Sequence, residues 1–554
     1  MDRRRWIAPI VAGAALLTGC GADVVVTAQR ADQIATEAPP SAGSTADEST
    51  GAPGAADAEG NAPVTEAPTT EVPASEPAPD DTGDATAADD AGDATAADDA
   101  DPATTAPLQE PDPGAIDFGP DKPAQEYDQL LLATVTDLEA WWSERFPAVY
   151  DDSFTPLQGR VYAAYRGRPG ELPGCGEPRT SYDEVRQFVA FYCGEGDFII
   201  YDDGDDGLLA QLADNFGPAT IGIVLAHEYG HAIQLRSGIL QDRIPTVTSE
   251  QQADCFAGAW AGRAARGESP WVRFTDDDVR SGLIAMLEVR DPVGVDQYTP
   301  GGHGSGFDRV GAFQVGFLQG VQRCATIVDD PLPLMPNEFN DPADVRSQGN
   351  APFGYGADEL FGFLPEDLDL YWADQLDAEV PGFDGLTLVP VDQPSDVQCA
   401  GELRGRFDDG VVLCPDTATV YLNEPVAFDL YQQASTFGDF SIGYLLGTSW
   451  AEAVQEARGS ELTGEARALR SDCLTGAWVK TVIPVMNDSG VYELPTPRLE
   501  DRTAAVSPGD LDEAVRTVIL IGDASADDDV IGSPFEKIDA FRGGVLGGLD
   551  ACGF

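Results

Sequence analysis

His227-Glu228-Tyr229-Gly230-His231 places two imidazoles four residues apart inside an apolar run, with Ile221, Ile223, Val224 and Leu225 before it and Ile233 and Leu235 after it. On a helix that spacing sets both rings on one face, about one turn apart, where they can share a metal ion. Glu228 adjoins the first imidazole, so its carboxylate can reach a metal-bound water without being a ligand itself. The chain has only 3 His, so chance is a poor account of the pattern. A catalytic zinc takes three protein ligands and one water. Glu250, 19 residues after His231, is the candidate third ligand, and it opens Glu250-x-x-x-Asp254. On a helix these two carboxylates share a face, which leaves Asp254 to hydrogen-bond a ligand imidazole from behind or to serve structure alone. The remaining histidine, His303, lies in Gly302-His303-Gly304-Ser305. It is either an oxyanion-stabilising group beside the metal or a surface loop residue.

This arrangement resembles the gluzincin metallopeptidases, and its wording is closer still to a bacterial neutral zinc metallopeptidase family. Members of that family carry His-Glu-Tyr-Gly-His, a later Gln-Ala-Asp-Cys-Phe-Ala-Gly-x-Trp, and upstream Cys-Gly and Phe-Tyr-Cys pairs. Here these are His227 to His231, Gln252 to Trp260, Cys175-Gly176 and Phe191-Tyr192-Cys193. The resemblance covers about residues 160–325. It departs at Glu250-Gln251-Gln252-Ala253-Asp254, where many members have Glu-Leu-Gln-Ala-Asp, but both carboxylates stay in place. It implies a zincin-like fold, one Zn2+ per chain held by His227, His231 and Glu250, Glu228 as general base, and a protein or peptide substrate. Similar members also carry His-Gly at the position of His303. Two alternatives stand beside it: a zinc-carrying binding or scaffold lipoprotein without turnover, and a hydrolase of a non-peptide amide such as a cell-wall crosslink.

The elements that must position these residues occur twice. Ala226 to Gln234 aligns with Gly447 to Gln455, Asp254 to Trp260 with Asp472 to Trp478, Gly304 to Cys324 with Gly532 to Cys552, and Tyr192 to Tyr201 with Leu413 to Tyr421. Asp137 to Trp142 echoes Asp367 to Trp372. Repeated blocks in one order predict a duplicated domain. In the second copy His227, Glu228, His231 and Glu250 become Thr448, Ser449, Glu452 and Ala468, so it is expected to bind no zinc. Asp472 survives there, a warning that Asp254 has structural work of its own. Asp308 and Arg309 become Glu536 and Lys537, which predicts a structural ion pair between neighbours. Each copy reads as an opening amphipathic helix, a Gly/Pro-rich stretch (Pro169 to Pro178 in the first), a strand near Asp197–Tyr201, and helices near Leu208–Phe216, Thr220–Ser237, Ser249–Arg266 and Asp308–Cys324. The expected class is α+β, helix-dominated.

Eight of the nine cysteines divide evenly between the copies. Four per domain allow three connectivities, and the block structure favours Cys175–Cys193, Cys255–Cys324, Cys399–Cys414 and Cys473–Cys552. No CxxC spacing exists, so a zinc-thiolate site is excluded. The ninth, Cys20, follows Arg3 to Arg5, a short apolar stretch Trp6–Leu17, and Leu17-Thr18-Gly19, a bacterial lipobox pattern that predicts lipidation after cleavage. The 554 residues carry a formal charge of −64, which repels phosphate backbones and excludes nucleic-acid binding as a function. The expected organisation is a signal peptide (1–19), a lipidated Cys20 with a disordered acidic tether (20–123), a zinc metallopeptidase domain (124–330), a linker (331–354) and a degenerate copy (355–554). The chain would sit on the extracytoplasmic face of the cell membrane and touch it through its lipid only. Oligomeric state is left open.

Overall fold

The computed structural model describes residues 107–120, 122–241, 244–339, 342–376, 383–433, 438–486, 492–495, 502–521 and 533–554. The expected signal segment, Cys20 and most of the expected tether lie outside these residues. The described chain is α+β with helices dominating.

In the first half, β1 (Ile116–Asp117) and α1 (Asp128–Tyr150) precede β2 (Val161–Ala164), a small hairpin of β3 (Leu172–Pro173) and β4 (Arg179–Thr180), α2 (Tyr182–Phe188), β5 (Ala190–Cys193) and β6 (Phe198–Asp202). The sheet order is β1-β2-β6-β5, with β5 antiparallel to β6 and the other pairs parallel. Every residue of β6 is buried, as its unbroken Phe198-Ile199-Ile200-Tyr201 run dictates for a strand covered on both faces. The helices α3 (Leu208–Phe216), α4 (Ala219–Ser237), α5 (Thr246–Ala265), α6 (Asp276–Glu288), α7 (Gly306–Gln319) and α8 (Val321–Ala325) follow. Residues 219 to 234 of α4 are all buried, so this helix runs through the core rather than along its surface. It stops at Gly238, whose φ of 83° gives the left-handed end that favours glycine.

After α9 (Pro342–Ser347), the second half repeats the plan. It contains α10 (Leu360–Leu376), β7 (Thr387–Val391), β8 (Arg404–Arg406), β9 (Val411–Cys414), β10 (Thr419–Asn423), α11 (Glu424–Tyr431), α12 (Asp439–Ala457), α13 (Gly464–Lys480), α14 (Asp510–Ile521) and α15 (Pro534–Gly547). Its sheet order is β7-β10-β9-β8. The same brace recurs in each half. Trp260 Nε1 donates to Asp137 Oδ2 at 2.7 Å, and Trp478 Nε1 to Asp367 Oδ2 at 3.0 Å. All four disulfides link the expected partners: Cys175–Cys193, Cys255–Cys324, Cys399–Cys414 and Cys473–Cys552.

Several expectations need correction. Residues 331–354 are not a free linker: Asn337 is buried, Glu338 bridges to Gly294, and α9 is helical. Order begins inside the expected tether, because Ile116 is buried and β1 pairs with β2. A two-residue strand has no periodicity to reveal it. The helix expected over Asp308–Cys324 is two helices, broken at Gly320 with φ of 76°. Nor are the halves separate bodies; residues from 102 to 554 form one compact unit. Arg290 Nε pairs with Asp512 at 2.6 Å, Arg516 with Glu288 at 2.5 Å, and the Arg542 guanidinium lies 4.3 Å from the Phe307 ring centre. The contact uses corresponding elements on both sides (α6, α7 against α14, α15), as in the isologous interface of a two-fold dimer.

Candidate metal centre

The site forms where α4 crosses α5. At the crossing, a Cβ on Gly230 would meet the Ala253 Cα at 3.0 Å, so the glycine lets the two backbones approach closely enough for Glu250 to face the histidines. The rings of His227 and His231 meet edge to face, with Nε2 atoms 3.2 Å apart. Glu250 Oε2 lies 3.2 Å from His227 Nε2, and Oε1 lies 3.5 Å from His231 Nε2. All three side chains are buried, and their ligand atoms lie within 4.8 Å of one another. Both Glu250 oxygens are fully enclosed, with the two imidazoles as their neighbours. Facing two imidazole nitrogens, they make a donor set of the kind zinc accepts, so the residues fit the metal.

Charge tells the same story. Burial works against the His227 imidazolium, but the carboxylates of Asp254 and Glu250 outweigh it and lift the ring to about 10. Burial opposes the charged form of His231 too, and Glu250 reverses it, so that pKa is also raised. For Glu250, burial is outweighed by His231 and then His303, which hold its carboxyl well below the usual range. The two imidazoles and the Glu250 carboxylate thus stabilise each other's charged forms.

Each histidine of the cluster is held from behind. His227 Nδ1–H donates to Asp254 Oδ1 at 2.7 Å, and His231 Nδ1–H to Gln234 Oε1 at 2.9 Å. Gln234 Nε2 then donates to the Ser249 carbonyl at 2.6 Å, tying α4 to the first turns of α5. Asp254 does both jobs the sequence allowed it. Besides His227 it accepts from Arg309 Nε at 2.9 Å and Nη2 at 2.7 Å. The expected Asp308–Arg309 pair is therefore wrong, because neighbours on a helix point apart: Asp308 instead accepts from the Met335 backbone at 3.0 Å. In the second half Tyr444, at the position of Ile223, donates its hydroxyl to Asp472, and Lys537, at the position of Arg309, attracts the same carboxylate. Asp472 thus has structural contacts of its own.

Glu228 lies beside the cluster, buried, with Oε2 lacking any partner. Burial is the largest influence on it and raises its pKa, with the nearby histidines and a Tyr192 backbone hydrogen bond on β5 working the other way. His303 is not a surface residue. Its backbone N–H and that of Gly304 donate to Asp291 Oδ2 at 2.7 and 2.9 Å, its Nδ1 lies 3.1 Å from Oδ1, and it acts electrostatically on Glu250. Gln234 and Asp291 were missed from sequence. Gln234 had a signal, since it sits three residues after His231 on the same helix face.

At the equivalent place in the second half, Glu452 bonds Arg467 and accepts from Ser471 Oγ at 3.1 Å. A separate group of buried carboxylates (Asp439, Asp510 and Glu513) stands elsewhere in that half and was also missed. It offers only oxygens and does not align with the histidine cluster.

No protein-family model matches the chain, and no solved structure does. Uncharacterized protein YpfJ of Escherichia coli K12 is 31% identical over 160 residues, 25% of this chain and 47% of its own. Uncharacterized protein Rv2575 of Mycobacterium tuberculosis is 30% identical over 212 residues, 34% of this chain and 67% of its own, and Mb2605 of Mycobacterium bovis matches equally. With two thirds of Rv2575 matched at that identity, this chain belongs to the family of those mycobacterial proteins.

Proposed function

We propose that this protein is a lipid-anchored, extracytoplasmic zinc metallopeptidase with a zincin-like first half and a degenerate second half. One observation carries it: His227, His231 and Glu250 converge in a buried cluster while Glu228, unpartnered at Oε2, stands next to them. Zinc bound there would supply Lewis acidity and a water whose pKa falls to about 7. Glu228 takes the proton from the attacking water and returns it to the leaving amine. His303, oriented by Asp291, presents its ring near the site as a donor for the developing oxyanion. Asp254 and Gln234 fix which ring nitrogen of each histidine faces the metal.

Support for turnover over zinc carriage lies in Glu228, since a storage site does not require a carboxylate beside its ligands with one oxygen, Oε2, free of a hydrogen bond. The lipobox at Cys20 and four disulfides suit an exported chain. The test is proteomic identification of peptides released by the purified mature protein with zinc and after chelation. Zinc-dependent new termini support peptidase activity; release of cell-wall fragments alone would redirect it to another amide.

A further inference from the structure

The second half has lost its histidines but not its cleft. A cavity of about 320 Å³ opens there, and Thr448, Ser449, Glu452 and Ala468, the four positions where the first half has His227, Glu228, His231 and Glu250, all line it. That volume is in the range of ligand pockets. Its walls are largely apolar, with Val411, Leu413, Leu445, Leu462 and Val518 among them. Four of its 21 lining residues are Arg or Lys and three are Asp or Glu (Asp409, Glu452 and Asp472), a slight positive excess in a chain with net charge −64.

Two of these cations are committed, since Arg467 holds Glu452 and Glu456, and Arg406 lies 3.7 Å from Asp409. Arg404 is held more loosely, 3.5 Å from Glu402 and 3.8 Å from Glu452, with its buried Nε lacking a hydrogen bond. Lys537 reaches Asp472 by longer-range attraction. Beside them runs β8, the outermost strand of the order β7-β10-β9-β8 and paired, among the described residues, on one side only, with β9. All three of its residues line the cavity. An edge strand next to an apolar pocket is the geometry that accepts an extended peptide: main chain pairs with main chain and a side chain drops into the pocket. In the first half the sheet ends at β5 among the described residues, so a strand at the position of β8 is peculiar to the second half.

We propose that the second half is a peptide-binding module, taking an extended C-terminal segment along β8 with an apolar terminal side chain in the cavity and its carboxylate against Arg404 and Lys537. This assignment does not depend on zinc chemistry in the first half.

The test uses the full mature chain with Glu228→Gln, in EDTA, so that the probe cannot be cleaved. The probe is fluorescein-labelled Ala-Ala-Ala-Ala-Phe with a free carboxylate, followed by fluorescence polarisation. Saturable binding is expected, weakened at least tenfold by Ala468→Trp, which fills the cavity, and at least tenfold by amidating the probe's carboxylate or by Arg404→Gln. A urea midpoint unchanged in Ala468→Trp shows that the fold survives. Binding undiminished by Ala468→Trp, or no saturable signal at all, overturns the proposal. Equal binding of the amidated probe overturns the assignment of its terminal carboxylate.

Discussion

Replacing Asp254 with Asn separates its two duties. Asp254 is fully buried and meets His227 at 2.7 Å and Arg309 at 2.7 and 2.9 Å. Asn keeps the size and one acceptor oxygen but removes the charge that holds the His227 ring in place and balances Arg309. Loss of a partner behind a metal ligand typically lowers metal affinity by about 10- to 100-fold, or about 1.4–2.7 kcal/mol. Stranding the Arg309 guanidinium, only 2% exposed, costs about 3–5 kcal/mol of folding stability. Chelator competition measures the first effect and urea unfolding in EDTA the second. Adding Arg309→Met should recover much of the stability, because no uncompensated charge remains, yet leave zinc affinity low. Asp472→Asn, its counterpart in the second half, should leave zinc affinity unchanged. Wild-type zinc affinity in Asp254→Asn, or recovery of affinity together with stability in the double variant, would refute the role assigned to Asp254 behind His227.

Truncation after residue 330 should yield insoluble or molten protein, since it uncovers Phe307 and strips Glu288 and Arg290 of Arg516 and Asp512; a sharp unfolding transition for the fragment would contradict the shared core. Burial raises the carboxyl pKa values of Asp439, to about 6, and of Asp510 and Glu513 beside it. The native state therefore retains protons that the unfolded chain releases above about pH 4, so the contribution of Asp439 is lost as pH rises through about 6 and those of Asp510 and Glu513 through their own raised values. Asp510→Asn should accordingly raise the urea midpoint at pH 8 and change it little at pH 4. Dialysed protein should hold one zinc per chain, and His231→Ala none; two zinc ions per wild-type chain would show that the second half also binds the metal.

Residues a helical turn apart were legible because their contacts are local. The spacing of His227 and His231, the shared face of Glu250 and Asp254, and the extent of α3 follow from periodicity alone. The cysteine blocks gave the disulfide partners because the repeat constrained them twice. Contacts that depend on long-range packing were not legible. Nothing near Asp291 in sequence marks it as the partner of His303, and the pairing of Arg309 with Asp254 spans 55 residues. The fusion of the halves rests on pairs such as Arg290 with Asp512, far apart in the chain. Gly320 was passed over because an isolated glycine in an apolar helical pattern does not announce whether it ends a helix. The duplication itself made one inference possible from sequence and one not: it separated the ligand set from the scaffold, but the Tyr444 hydroxyl that stands in for an imidazole emerged only in three dimensions.

Zinc-dependent hydrolysis with Glu228 as the base is tested most directly by Glu228→Gln. The substitution preserves shape and leaves His227, His231 and Glu250 untouched, so zinc content and the unfolding midpoint should match those of the wild type. Turnover of a casein-like or identified native substrate should fall by at least about 10²- to 10⁴-fold, the contribution of a general acid–base. Loss of zinc would make Glu228 a ligand or a structural group, and full activity with zinc retained would remove it from the mechanism and contradict the proposed chemistry.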